Sequence, residues 1–216
     1  MSKFLNIQNH LIAGEINELI LDVKEALSKG VNADEILNTG LIGTMDIVGE
    51  KMQSGEMFIP EVLMAAHGMK AAVEILKPKL SCDKIGSAGK LVIGTVKGDL
   101  HDIGKNLVML MMESAGFQVI DLGVDVPAET FLKAVEENDA DILALSALLT
   151  TTMPMMQKTV ELVKEKGLNK KAKIIVGGAP VSQGFADKIG ADGFAPDAGA
   201  ASKLARSLVA AEQTGC

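Results

Sequence analysis

The chain has 216 residues, 48% of them hydrophobic, a formal net charge of −7, and neither Trp nor Tyr. That length suits one or two compact units with real cores, and the acidic balance argues against nucleic acid or an anionic membrane surface as the main partner. The missing aromatics also remove the stacking platforms common in carbohydrate and single-stranded nucleic-acid sites.

No apolar run reaches the roughly 18 residues of a membrane span. The start Met1-Ser2-Lys3-Phe4 leads into an amphipathic pattern instead of an export signal, so a cytoplasmic location is expected. Cys82 and Cys216 make no disulfide framework, and free thiols are the default. Twelve Met residues supply adaptable apolar surface.

Residues 1–77 read as a helical domain of about four helices. Ile16, Leu19, Ile20, Val23 and Leu27 recur at helix spacing, and Lys29-Gly30 ends that helix. Asn32 with Glu35 forms a capping box for the next, which Gly40, Gly43 and Gly49 weaken or bend. Pro60 suits the first turn of a final helix that Pro78 stops. On it Phe58, Val62, Ala65 and Met69 share a face, serving either as core or as an apolar lid.

Residues 78–90 lose periodicity and read as an interdomain linker. From Leu91 onward strands and helices alternate. Strands are expected at Leu91 to Val96, Gln118 to Leu122, Asp141 to Leu145, Lys173 to Val176 and Asp192 to Ala195. Helices follow from Ile103, Pro127, Pro154, Val181 and Asp197. Five βα units over residues 91–216 imply a doubly wound parallel sheet of the flavodoxin or Rossmann-like kind, so the whole chain is α/β behind a four-helix bundle.

The turn after the first strand, Gly98-Asp99-Leu100-His101-Asp102-Ile103-Gly104-Lys105-Asn106, carries the candidate chemistry. It falls at the carboxyl edge of the sheet, where open α/β folds bind ligands. Asp99, two residues before His101, is placed to accept a proton from Nδ1, leaving Nε2 free to coordinate a metal. Taken alone, the motif fits a helix-initiating turn equally well. Gly104 leaves room for a bulky group near the backbone. Asn106 after Gly104-Lys105 breaks the phosphate-loop pattern, which needs Ser or Thr there. The three His residues, at 10, 67 and 101, lack zinc-site spacing.

Two further strand ends share that edge: Ser146-Ala147-Leu148, and Gly177-Gly178. Asp-x-His-x-x-Gly, then Ser-x-Leu, then Gly-Gly, in this order, resembles the cobalamin-binding pattern of methionine synthase and the corrinoid methyl-carrier proteins. Gly55-Glu56-Met57-Phe58-Ile59-Pro60-Glu61-Val62 resembles the start of the helical cap in the same proteins, so the likeness spans nearly the whole chain.

The resemblance implies cobalamin or a related corrinoid, cycling between cob(I)amide and methylcob(III)amide. It would be bound base-off, with its nucleotide tail buried and His101 as lower ligand of cobalt. Asp99 and Thr152 would extend a relay from that imidazole, Thr152 standing where methionine synthase has a Ser. Ser146 and Leu148 would line the slot for the tail, Gly104 its mouth, and Gly177 and Gly178 its wall. Phe58 would contribute to the lid, and His67 either approaches the upper cobalt face or is an ordinary exposed helical residue. The linker would let the helical cap swing.

The chain ends after the cobalamin unit, so it resembles the stand-alone corrinoid proteins of methylamine, quaternary-amine, methanol or methoxyaromatic systems. The implied function is a methyl carrier that does not turn over alone. Its implied partners are a substrate-specific methyltransferase, a second one acting on tetrahydrofolate or coenzyme M, and a corrinoid-reactivating protein. Alternatives are a cobalamin-dependent sensor and the small subunit of an adenosylcobalamin-dependent isomerase.

Overall fold

The structure is a computed structural model and describes residues 3–80 and 88–213. Cys82, Cys216 and residues 81–87 of the expected linker lie outside the described residues. The chain forms two compact units, one from the N-terminal helices together with Ser114–Gly116 and the other from Ala88 onward.

In the helical unit, α1 (Leu5–Ala13), α2 (Ile16–Ser28) and the long α5 (Ile59–Leu76) are regular helices. Leu19 and Val23 are buried, as their spacing requires. Between α2 and α5 a single continuous helical path runs through α3 (Ala33–Glu35), a π-helical stretch (Ile36–Ile42) and α4 (Gly43–Ser54). Of the three glycines expected to weaken this segment, Gly40 lies in the widened turns, Gly43 is the first residue of α4 and Gly49 sits inside that regular helix; the ring of Phe4 comes up against Gly40, and the Thr44 hydroxyl donates to the Gly40 carbonyl at 2.7 Å.

The Asn32 cap forms, its side chain accepting from the Asp34 amide at 2.7 Å. The other half of the expected capping box does not, because Glu35 is drawn to Lys3 instead, at 2.9 Å. At α5 the carboxylate of Glu61 accepts from the Phe58 backbone amide at 2.8 Å, with Pro60 in the first turn. The regular α-helix stops at Leu76 and passes into a tighter 3-10 turn over Lys77–Lys79; Lys77 keeps right-handed helical geometry, and Pro78, with no amide hydrogen, cannot extend the α-helical bonding. Val62, Ala65 and Met69 are buried, so that stripe is core and not lid, whereas Ile59, Leu63 and Met64 on the same helix and Phe58 just ahead of it are exposed. His67 is exposed as well.

The second unit is a five-stranded parallel sheet with order β2-β1-β3-β4-β5. Its strands are β1 (Lys90–Thr95), β2 (Gln118–Asp121), β3 (Ile142–Ser146), β4 (Lys173–Gly177) and β5 (Gly193–Ala195). Between and after them run α6 (Ile103–Ser114), α7 (Ala128–Asn138), α8 (Met153–Glu165), α9 (Gln183–Ile189) and α10 (Ala198–Gln213). The central strands read as unbroken apolar runs because both faces are covered. Val92, Leu143, Leu145, Ile174 and Val176 share one core with Phe131 of α7 and Met156 and Val160 of α8. Gly94 sits mid-strand because any Cβ there would lie 2.7 Å from the Phe131 ring.

Strand order reverses direction between β1 and β3. Such a switch point opens a crevice outside the carboxyl ends of the two strands. Register places Thr95 opposite Ser146, Ser146 opposite Gly177, and Gly177 opposite Ala195, so the strand ends form one level row beneath that crevice.

Candidate cobalamin-type site

The loop from Val96 to Asp102 leaves β1 at this switch point. Asp99 lies in it fully buried, 0% exposed, while the His101 side chain beside it is half-exposed, at 50%. Asp99 Oδ1 accepts from the His101 ring Nδ1 at 2.7 Å and from the His101 amide at 3.1 Å. Oδ2 accepts from the amides of Leu148 and Leu149, at 2.8 and 3.2 Å, and faces the Thr152 hydroxyl at 2.8 Å.

Burial by itself would push the Asp99 carboxyl up. The hydrogen bonds from the His101 ring, the Thr152 hydroxyl and the Leu148 and His101 amides outweigh it and hold the group well below the usual carboxylate range. Asp99 is therefore an anion that can only accept, so the proton between it and His101 belongs to Nδ1, and in the neutral imidazole the lone pair belongs to Nε2. A half-exposed imidazole with Nε2 unprotonated has the electronic form of a metal ligand.

Thr152 occupies the N-cap position of α8 yet makes no side-chain cap bond. Its oxygen lies 2.8 Å from both Asp99 Oδ2 and the Leu149 carbonyl. With one proton to give, the stronger acceptor is the carboxylate. The Thr152 hydroxyl thus serves Asp99 at the expense of its own helix, and its methyl group fills the space beside Gly98, whose φ is +84°.

The remaining sequence-predicted residues of this unit lie at the strand ends and the start of α6. Ser146 is half-buried at the end of β3, and its hydroxyl has no partner among the described residues. Leu148 contributes more than its exposed side chain, since its amide is one of the Asp99 donors. Gly104, in the first turn of α6, has nothing within 4 Å of where a Cβ would be, which leaves open space there. Gly178 has φ +126°, and a Cβ on it would fall 1.9 Å from the Ala147 carbonyl oxygen. Only glycine allows the β4 end to pack this tightly against the β3 end. A Cβ on Gly177 would lie 3.1 Å from the Ala195 carbonyl oxygen, a tight contact but a milder one. Phe58 belongs to the helical unit, where it precedes α5 and is exposed.

Sequence reasoning missed Leu149, whose amide is a further donor to Asp99. It also missed the apolar side chains Leu100, Ile103 and Leu149, exposed with Leu148 around the imidazole. Leu100 and Ile103, apolar residues on either side of His101-Asp102 in a turn, were the available signal. Lys105, which a phosphate loop would aim at its ligand, is buried instead, with Nζ 2.7 Å from Asp121 Oδ1 and 2.8 Å from Asn106 Oδ1.

An accessible imidazole nitrogen, open space at Gly104, a glycine-lined strand end and four exposed aliphatic side chains suit a large, flat, mostly apolar metal macrocycle with a polar tail. Among the described residues no group of three or more His, Cys, Asp or Glu is placed to hold a bare ion.

Comparison with known proteins agrees. Family models described as B12 binding domains match residues 89–204 and residues 6–77. The chain is 43% identical over 192 residues to dimethylamine corrinoid protein 3 of Methanosarcina acetivorans, covering 89% of this chain and 90% of that protein. Its fold matches the crystal structure of a novel cobalamin-binding protein from Desulfitobacterium hafniense with TM-score 0.83 and 34% identity, covering 94% and 96% of the two chains. It also matches a chain of the methanol:cobalamin methyltransferase complex MtaBC from Methanosarcina barkeri, with TM-score 0.79 and 30% identity over 95% of this chain and 78% of that one. No helix among the described residues is long and apolar enough to cross a membrane.

Proposed function

Because the chain belongs to the corrinoid-protein family built on B12 binding domains, we propose that it holds a corrinoid at the β1–β3 edge and carries a methyl group on it between two methyltransferases. One partner takes the methyl group from a methylated amine, quaternary amine, methanol or methoxyaromatic donor. The other passes it to tetrahydrofolate or coenzyme M, and a reactivating protein restores the carrier after oxidation. Relatives named for dimethylamine and for methanol support the methylated-amine and methanol members of this range.

One observation carries the reading: His101 presents Nε2 outward while Asp99, itself fully buried, holds Nδ1 at 2.7 Å. The corrinoid, when bound, supplies a cobalt centre able to accept and release a methyl group. His101 is the residue that would ligate that metal, in place of the cofactor's own base. Asp99 fixes the ring's tautomer and direction and raises its basicity. Thr152 and the amides of Leu148 and Leu149 keep Asp99 ionised and in place.

The pair also handles a proton. Were Nε2 not ligating the metal, it could take up a proton, and the Asp99 anion 2.7 Å from Nδ1 would stabilise the resulting imidazolium. Ser146 and Leu148 would line the slot for the nucleotide tail, with Gly104 at its mouth and Gly177 and Gly178 in its wall.

The test is to load the full chain with hydroxocobalamin, reduce it, and mix it with methyltransferases specific for each donor class together with the matching donor. Methylation of the bound corrinoid by one pair, followed by transfer to tetrahydrofolate or coenzyme M through a second enzyme, is the expected outcome. Failure to retain hydroxocobalamin, or retention without methylation by any pair, would refute the proposal.

A further inference from the structure

Two residues outside the Asp99–His101 pair converge on the backbone that carries it. Thr95 ends β1 and is fully buried at the close of the apolar run Leu91 to Thr95, where Val would fill the same volume. A buried hydroxyl in such a strand is costly unless bonded, and this one donates to the carbonyl of His101 at 2.9 Å. The backbone of Thr95 is fixed in turn by the loop after β2: its amide donates to Gly123 at 2.9 Å and its carbonyl accepts from Val126 at 3.0 Å.

Asp125 lies in that same loop and holds the other side of the turn. Its amide donates to the Asp99 carbonyl at 2.9 Å. Oδ1 accepts from the Gly98 amide at 2.8 Å, and Oδ2 accepts from Lys97 Nζ at 2.9 Å. Asp125 adopts φ +56°, a left-handed conformation that a residue with a side chain rarely takes. All three of its groups reach Lys97, Gly98 and Asp99, so the strained conformation is spent on the loop that ends in His101.

We infer that Thr95 and Asp125 are positioning residues for His101, clamping its loop from beneath and from the side so that the imidazole is delivered to one fixed point above the switch between β1 and β3. This rests on the reading of His101 as the cobalt ligand. Neither residue touches the cofactor; each acts through the His101 backbone or the turn before it.

The experiment uses Thr95→Val, which keeps volume and deletes the hydroxyl, Thr95→Ser, which keeps the hydroxyl, and Asp125→Gly, which keeps the left-handed turn and deletes the carboxylate. In the apoprotein, amide hydrogen exchange at Gly98 to His101 should quicken by about tenfold or more in Thr95→Val and Asp125→Gly, with β4 unchanged and Thr95→Ser close to the parent. With unlabelled hydroxocobalamin bound to protein grown on the heavy spin-one-half isotope of nitrogen and reduced by one electron, the fraction of electron paramagnetic resonance signal split in two by a protein nitrogen should fall in the same two variants and be retained in Thr95→Ser. Parent-like exchange and splitting in Thr95→Val and Asp125→Gly would overturn the inference. Asp125 is partly exposed, so its variant decides the matter even if Thr95→Val fails to fold. If His101→Ala leaves the splitting intact, the ligand reading fails, and exchange in the apoprotein still decides whether the clamp exists.

Discussion

The Thr152 hydroxyl lies 2.8 Å from Asp99 Oδ2, so the residue at the N-terminal boundary of α8 reaches across the switch point to the loop after β1 and leaves its own helix uncapped. The carboxylate gains a donor that no neighbour in sequence supplies, and α8 forgoes a stabilising cap.

Replacing that donor separates the two roles. Thr152→Val removes a hydrogen bond to a buried charge and should cost about 1.5–3 kcal/mol in the apoprotein. Thr152→Ser keeps the bond, loses only the methyl beside Gly98, and should cost less. Urea denaturation of both variants is the check, and equal losses would mean that the hydroxyl contributes nothing to Asp99.

The depressed acidity of Asp99 has a defined pH signature. Its folded pKa is below the unfolded value of about 4, so its stabilising contribution is fully present above that pH and is lost as pH falls through the lower range. The stability difference between the parent and Asp99→Asn should therefore be largest near neutrality and shrink on acidification below about pH 4. Urea midpoints measured across that range provide the test; a difference that grows in acid would contradict the assignment.

Two glycines at the site should respond oppositely to alanine. Gly178→Ala forces a Cβ to 1.9 Å from the Ala147 carbonyl at φ +126°, and should destabilise the apoprotein by about 2–4 kcal/mol or prevent folding. Gly104→Ala meets open space in the first turn of α6 and should stabilise the apoprotein by up to about 1 kcal/mol. The same methyl group occupies space assigned to the cofactor, so hydroxocobalamin affinity should fall. Thermal melts and equilibrium dialysis of the two variants separate a folding role from a binding one.

Much of this was legible in the chain. Unbroken apolar runs such as Leu143 to Leu145 and Ile174 to Val176 mark strands covered on both faces, and their alternation with amphipathic helices leaves little choice but a parallel sheet. Asp99 and His101, two residues apart, announce their own hydrogen bond. The amides of Leu148 and Leu149 do not, because a backbone donor has no residue-specific signature and meets Asp99 only once β1 and β3 are paired. Asp125 escaped for a related reason: its left-handed conformation is set by the loop it braces.

Local rules failed where a tertiary partner competed. Glu35 satisfies the sequence pattern of a capping box and is taken by Lys3, remote in sequence. The π-helical stretch at Ile36–Ile42 was foreshadowed by its glycines only as a weakness. Val62, Ala65 and Met69 share a helical face with Phe58, yet periodicity alone cannot tell a buried stripe from an exposed lid, and all three are buried while Phe58 is not.

The identity of the nitrogen beneath cobalt tests the central claim most directly. The chain is grown on the heavy spin-one-half isotope of nitrogen, loaded with unlabelled hydroxocobalamin, reduced by one electron and studied by electron paramagnetic resonance. If His101 is the ligand, each cobalt line splits in two, and the splitting vanishes in His101→Ala. A three-line splitting from the cofactor's own unlabelled base, or no nitrogen splitting in the parent, would contradict the account.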